Sequence, residues 1–178
     1  MLEASAILEI KNMKSLVSPL LIRNVVFGVE DSLVSTVGVL TGIASVHIAR
    51  ETLILAGVVY IIVEGFSMAA GSYLSEESVQ EFNAKGDVQN SNALIGGLVM
   101  FVSSVSAGFL VLASYFVIPS DLALYISVCV ALVALGILGY VHAKISHVKP
   151  LPRIIRMVVV GGIAIVLGIV VGHLFGLQ

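Results

Sequence analysis

Apolar residues form five long runs, each long enough to cross a lipid bilayer. A helix needs about 20 mainly apolar residues to span the hydrocarbon core. The runs cover residues 20–48, 53–74, 92–118, 121–145 and 153–176. Proline stands at the breaks, at Pro119, Pro150 and Pro152, where it can begin a helix but not continue one. The pattern therefore predicts one all-α, polytopic membrane domain over residues 1–178, with five transmembrane helices packed as antiparallel neighbours.

The first two helices are predicted to have additional residues at their cytoplasmic ends. The residues before Leu20 are mixed in charge and predict a short amphipathic lead-in at the membrane surface. The second helix is expected to continue past Glu81.

Glycines in the last span, at Gly168 and Gly172, follow a G-x-x-x-G spacing that favours close helix packing.

The composition supports a membrane protein and excludes several other classes. Hydrophobic residues make up 58% of the chain and charged residues 11%, against roughly 25% charged in a soluble domain. A net charge of −2 without a basic face argues against nucleic-acid binding. Cys129 is the only cysteine, so the chain holds neither an internal disulfide nor a cysteine-based metal site.

The basic residues predict the orientation in the membrane. Of nine lysines and arginines, all but Arg50 fall in the N-terminal segment, between spans two and three, or between spans four and five. Positive charge favours the cytoplasmic side. We therefore expect a cytoplasmic N-terminus and an outside C-terminus.

Two adjacent carboxylates, Glu30 and Asp31, lie near the middle of the first span. An ionised acid at the bilayer centre costs about 2.5–3.5 kcal/mol on insertion scales, so a cation, a proton or a water-filled path should offset it. Helical spacing places Asp31 on one small, polar face, shared by Asn24, Gly28, Ser35, Gly38 and Gly42. Glu30 points about 100° away and has no assigned role.

The second span carries Glu64 and Met68 one helical turn apart, so their side chains can converge. Hard cations prefer oxygen ligands alone, whereas a thioether favours borderline first-row metals such as Fe²⁺ and, to a lesser degree, Mn²⁺. Methionine in a membrane helix is more often a packing residue, but intramembrane acids are functional by default. Asp31, Glu64 and Met68 are therefore the candidate transport site.

Further polar residues lie near the ends of the spans. Glu77 and Glu81 are either a cytoplasmic capture site for cations or an ordinary solvated helix end. His47 and His173, near the outer ends of their spans, are either an exit site or ordinary interfacial residues.

Enzyme motifs are missing from the sequence: no H-E-x-x-H, G-x-S-x-G or G-x-x-x-x-G-K-[ST] occurs. We expect neither an enzyme nor a bound cofactor. Transport without a nucleotide site would be passive or driven by an ion gradient.

Two segments resemble the vacuolar iron transporter family, which exports Fe²⁺ and Mn²⁺ from the cytosol to the vacuole or the cell exterior. Phe27–Ser45, FGVEDSLVSTVGVLTGIAS, is similar to the family's G-x-x-D-G-L-V-S segment. Glu64–Ser75, EGFSMAAGSYLS, is similar to its S-M-A-A-G-E-Y-[LV]-S segment. The resemblance implies a homodimer with the metal path between the two first helices, exchange of metal for protons, and metal binding by Asp31 and Met68.

The chain departs from the family pattern at several points. Ser32 replaces the motif glycine, and Ser72 replaces a glutamate. Members with a second-helix acid two turns before the methionine would place it at Tyr60, whereas this chain has Glu64 one turn before. The glutamate-rich cytosolic domain of iron-storing members is absent between spans two and three, which leaves Mn²⁺ beside Fe²⁺ as a candidate substrate.

Three hypotheses follow. The leading one is a dimeric divalent-metal/proton antiporter that moves Fe²⁺ or Mn²⁺ outward and contacts only lipid, metal ions and protons besides its second copy. A passive divalent-cation channel and a non-transporting membrane scaffold are the alternatives. The short form favours a prokaryotic plasma membrane, with a vacuolar membrane as the eukaryotic counterpart.

Overall fold

Five α-helices make up the computed structural model, which describes residues 2–46, 48–84, 91–118 and 120–176, with side chains from Pro19 onward except those of residues 91, 120, 121 and 176. The helices are α1 (Leu2–Ala44), α2 (Arg50–Ala84), α3 (Ser91–Val117), α4 (Ser120–Ile145) and α5 (Pro150–Gly176). Each contains a stretch long and apolar enough to cross a membrane. The described residues contain no strand, so the predicted all-α membrane fold is confirmed.

The helix bounds differ from the predicted spans mainly in α1. The segment before Leu20, expected as a separate lead-in, belongs to the same helix, which runs through Pro19 and ends at Ala44. The second helix reaches Ala84, which confirms that it continues past Glu81.

Helix α1 lies at the centre and packs against each of the other four helices. It runs parallel to α3, because Asn24 contacts Gly96 near the start of α3 while Ser32 faces Gly108 further along. It runs parallel to α5 as well, because Gly38 faces Ala164 and Gly42 faces Gly168. Since α1 is enclosed on several sides, its polar residues Asn24, Ser32, Thr36 and Thr41 are fully buried.

Glycines form the contact between α1 and α5. A Cβ atom added at Gly42 would lie 2.7 Å from the carbonyl oxygen of Gly168, and one added at Gly168 would collide with the carbonyl oxygen of Gly38. Only residues without a side chain allow this approach of two backbones. The close helix packing expected of Gly168 and Gly172 is therefore observed, and the helix that they contact is α1.

A second glycine contact joins α2 to α3. A Cβ added at Gly65 would lie 2.8 Å from Val105 Cγ2, and one added at Gly97 would lie 3.0 Å from the carbonyl oxygen of Ala69. Gly65 and Ala69 lie on either side of Met68 along α2. The two helices are therefore in close contact where Met68 lies.

The start of α2 is tied to the end of α3. Arg50 Nε donates to the carbonyl oxygen of Tyr115 at 2.7 Å, and Arg50 Nη2 donates to that of Phe116 at 2.6 Å. Carbonyls in the last turn of a helix lack partners within the helix and carry partial negative charge. Arg50 supplies both a donor and a positive charge at that point.

Candidate functional site

Asp31, Glu64 and Met68 line one open groove between α1 and α2, with a volume of about 850 Å³. We call it the Asp31 groove. Tyr60 and Ser67 of α2 also line it. Two helices thus bring together the three residues that the sequence singled out, and their binding of metal remains a prediction.

The polar face of α1 does not form a single wall of this groove. Asn24 and Gly28 pack against α3, and Gly38 and Gly42 pack against α5. Asp31 lies between these two contacts and faces the groove. Packing against α3 and α5 therefore divides the face into parts with different neighbours.

The two carboxylate oxygens of Glu64 differ in their surroundings. Oε1 accepts a hydrogen bond from the Tyr60 hydroxyl at 2.7 Å. Oε2 is buried and has no hydrogen-bond partner among the described residues. A buried acceptor without a partner is costly, so this oxygen is the part of Glu64 that would gain most from a bound cation or proton.

Met68 is held from α3. Its Sδ accepts a hydrogen bond from the Ser104 hydroxyl at 3.4 Å, and Ser104 is fully buried. Met68 also lines a second cavity of about 450 Å³ beside Arg23, Asn24 and Met100, which we call the Arg23 groove.

A third cavity, the α1–α5 groove, has a volume of about 730 Å³ and is lined by Ser35, Gly42, Tyr60 and Phe175 among others. Met68 lines both the Arg23 groove and the Asp31 groove, and Tyr60 lines both the Asp31 groove and the α1–α5 groove. The three grooves thus follow one another along α1, with Met68 and Tyr60 at the two boundaries.

Sequence reasoning assigned no role in transport to Tyr60 or Ser104. The signal for Tyr60 was present, since it precedes Glu64 by one helical turn and therefore lies beside it. Ser104 gave no such signal, because its partner lies on another helix.

The two serines at departures from the family motifs lie against neighbouring helices, but among the described residues only the Ser72 hydroxyl has a hydrogen-bond partner. Ser32 is fully buried, and a Cβ added to Gly108 of α3 would lie 3.0 Å from its hydroxyl oxygen. Ser72 accepts a hydrogen bond from Asn24 Nδ2 at 2.9 Å. Both hydroxyls therefore lie in contacts between helices.

The acids near the end of α2 differ in their surroundings. Glu77 accepts a hydrogen bond from the Tyr73 hydroxyl at 2.7 Å, and Glu81 is exposed. Glu76 instead approaches Arg23 Nη2 to 3.5 Å. Neither Glu77 nor Glu81 lines any of the grooves described above, so a capture role for them stays a prediction.

The sequence also singled out Glu30, His47 and His173. Glu30 is partly buried and lines none of the three grooves. His173 is exposed, with Nδ1 at 3.1 Å from the carbonyl oxygen of Ile169. His47 lies outside the described residues, so the pairing of His47 with His173 at an exit site stays untested.

The described residues of a single chain offer an incomplete set of metal ligands. Among the described residues, no three side chains of histidine, cysteine, aspartate or glutamate converge as a metal site. The Asp31 groove contributes two carboxylates and one thioether. Metal binding there needs ligands from water or from a second copy.

A comparison with protein families identifies the chain. The model of the VIT family matches residues 22–95 and 81–173, which together cover most of the sequence and all of the Asp31 groove. The chain belongs to the VIT family, the vacuolar iron transporters. A search of curated proteins found no match.

Membership of the VIT family establishes the broad role. Members of this family are transporters and not enzymes, and this VIT family protein is an integral membrane protein for metal-ion transport. The resemblance noted in the two sequence motifs is confirmed. The Asp31 groove is the part of the described structure whose donor atoms suit that role.

Proposed function

We propose that this VIT family protein exports Fe²⁺ or Mn²⁺ from the cytosol in exchange for protons, as a homodimer. The observation that carries the proposal is the convergence of Asp31, Glu64 and Met68 on one groove in the middle of the membrane-spanning helices. Two acids in that position need a positive partner. The transported metal ion and the proton are the two partners that can alternate there.

The donor atoms favour a borderline transition metal as substrate. Carboxylate oxygens alone would serve Mg²⁺ or Ca²⁺ equally, whereas a thioether adds affinity for softer metals. Met68 supplies that sulfur beside Glu64. Fe²⁺ and Mn²⁺ are therefore the proposed substrates, with Fe²⁺ gaining more from the sulfur.

Proton exchange follows from competition for the same oxygens. Metal ligands must be deprotonated, so metal binding releases protons and protonation releases metal. The unpartnered Oε2 of Glu64 is available to either cation. A proton gradient directed into the cytosol would then drive the metal outward.

A second copy would complete the site. The Asp31 groove is open on the side where α2 exposes Leu55, Val59 and Val63, with 65%, 53% and 61% of their surfaces accessible. A twofold partner on that side would bring a second set of two acids and one sulfur to the groove. The family resemblance also implies a homodimer, with the metal path between the two first helices.

The direction of transport rests on the distribution of positive charge. Arg23 and the basic α4–α5 connection lie at the end of the bundle that we assign to the cytosol. Metal would then enter through the Arg23 groove, pass Met68 into the Asp31 groove, and leave past Tyr60 through the α1–α5 groove.

Proteoliposomes loaded with a metal-sensitive dye test this function. The wild-type protein should carry Mn²⁺ and anaerobic Fe²⁺ at rates that rise with an opposing proton gradient, and a pH dye should record protons moving the other way. Flux that ignores the proton gradient would favour a passive channel. No flux and no metal binding in detergent would favour a scaffold.

A further inference from the structure

Ser104 makes an uncommon hydrogen bond for a serine in a membrane helix. Such hydroxyls commonly donate to a carbonyl three or four residues back in their own helix. Ser103 does so, with its hydroxyl at 3.0 Å from the carbonyl oxygen of Met100. Ser104, the next residue, instead donates across to Met68 Sδ on α2 at 3.4 Å.

The close contact of α2 and α3 makes this bond possible. Gly65 and Gly97 lack the side chains that would separate the helices around Met68, and a Cβ added at Gly65 would lie 3.5 Å from Ser104 Oγ. Ser104 is fully buried, so water does not compete for its hydroxyl. The bond is therefore built into the contact between the helices.

The bond restricts a flexible ligand. Methionine has three rotatable side-chain bonds and adapts readily to its surroundings. Donation from Ser104 selects one arrangement of Met68 and occupies one lone pair of its sulfur, leaving the second lone pair for a cation. Because Met68 lines both the Arg23 groove and the Asp31 groove, its side chain lies at the boundary between them.

We propose that Ser104 is a positioning residue that holds the Met68 sulfur at this boundary and thereby sets the preference of the transporter for Fe²⁺ over Mn²⁺. The inference rests on the proposed transport function. Its physical basis is that a fixed thioether stabilises the softer cation more than the harder one. Ser104 itself contacts no metal.

The test compares Fe²⁺ and Mn²⁺ transport by full-length protein in anaerobic proteoliposomes. Ser104→Ala should raise the half-saturating Fe²⁺ concentration about three- to tenfold, the change that the net contribution of one hydrogen bond would produce. The value for Mn²⁺ should change less than twofold. Ser103→Ala is the matched control and should leave both values unchanged, while Ser104→Thr, which keeps the hydroxyl, should retain the wild-type ratio.

A double-mutant cycle shows whether Ser104 acts through the sulfur. Met68→Leu should lower the preference for Fe²⁺, and Ser104→Ala should have no further effect on the ratio in that background. This comparison uses a ratio of two metals, so a partial loss of folded protein does not alter it.

The outcomes separate this inference from the proposed function. Absence of flux in the wild type would overturn both. Flux in the wild type with an unchanged ratio in Ser104→Ala would overturn the inference alone. An unchanged ratio in Met68→Leu would overturn it together with the proposed contribution of the Met68 sulfur to metal choice. Equal losses for both metals in Ser104→Ala would also overturn it, because they would indicate a packing role without selectivity.

Discussion

Glu30 and Asp31 are neighbours in the chain but lie in different surroundings. Asp31 lines the Asp31 groove, whereas Glu30 lines none of the three grooves. Successive side chains of a helix point about 100° apart, so the two acids face different neighbours in the packed bundle. They are therefore a natural pair for comparing a transport residue with a nearby control.

Asp31→Asn should abolish metal transport or lower it at least tenfold, because an amide is a weaker ligand for a dication than a carboxylate and carries no exchangeable charge. The measurement is Mn²⁺ uptake into proteoliposomes under an opposing proton gradient. Glu30→Gln is the control and should keep at least half of the wild-type rate. A rate in Asp31→Asn equal to that of the control would remove Asp31 from the site.

Tyr60→Phe removes only the hydroxyl that donates to Glu64 Oε1. With both oxygens of Glu64 unpartnered, the carboxylate loses its fixed orientation, and the half-saturating Mn²⁺ concentration should rise about three- to tenfold, as expected for one hydrogen bond. Tyr125→Phe alters an exposed tyrosine on α4 and serves as the control. Identical kinetics in the two variants would show that the hydrogen bond has no part in transport.

At the residue scale, the sequence predicts the charged and sulfur ligands but misses the groups that hold them. An acid within an apolar span can be recognised from the sequence alone, because inserting its charge into the bilayer is costly and such residues are functional by default. Ser104 looks like one more small residue until α3 is placed against α2. Its role depends on the register between two helices, which the pattern within one helix does not contain.

At the scale of elements, the periodicity of the sequence predicts which face of a helix is small and polar. It does not predict which neighbouring helix packs against each part of that face. The small, polar face of α1 was expected to form one wall of a metal path. In the structure, Asn24 and Gly28 lie against α3 and Gly42 against α5, so different parts of the face line different grooves. The five spans were predictable because bilayer thickness sets the length that a span needs, whereas the extension of α1 through Pro19 was not.

The α1–α5 contact predicts a difference between two glycines of the same helix. Gly168→Ala places a Cβ against the backbone of Gly38, whereas a Cβ at Gly162 meets no atom within 4 Å. Gly168→Ala should therefore destabilise the protein by about 1–3 kcal/mol, the usual cost of overpacking. Gly162→Ala should be neutral or slightly stabilising, because alanine favours the helix more than glycine does.

Thermal unfolding of the purified variants in detergent checks this pair. The two proteins carry the same substitution on the same helix, so a difference in melting temperature reports the contact and not helix propensity. Equal melting temperatures would mean that α1 and α5 are less closely packed than the structure indicates.

At the scale of the whole molecule, the proposed dimer predicts which exposed face lies near its symmetry mate. Val63 on α2 and Val133 on α4 are each 61% exposed, but only Val63 lines the Asp31 groove. In a Cys129→Ser background, a short bifunctional thiol reagent should therefore link Val63→Cys chains in membranes and leave Val133→Cys chains single. The reverse pattern on a denaturing gel would place the partner on another face.

The number of helices was predictable at this scale, whereas the central position of α1 was not. Hydropathy predicts the number and approximate length of the membrane segments but not which segments pack against one another. The position of α1 follows from its small residues, which allow four other helices to approach, and that arrangement becomes evident only in three dimensions.

The contact between the first and the last helix has a consequence for biosynthesis. Ribosomes deliver α1 to the membrane before α2, α3, α4 and α5, yet Gly38 and Gly42 meet their partners only when α5 has been inserted. Until then the helix that carries Asp31 lacks part of its packing, and its acids face lipid or the insertion machinery. Assembly of the metal path is therefore a late event in the synthesis of each chain, and a chaperone or translocon that shields α1 would act during that interval.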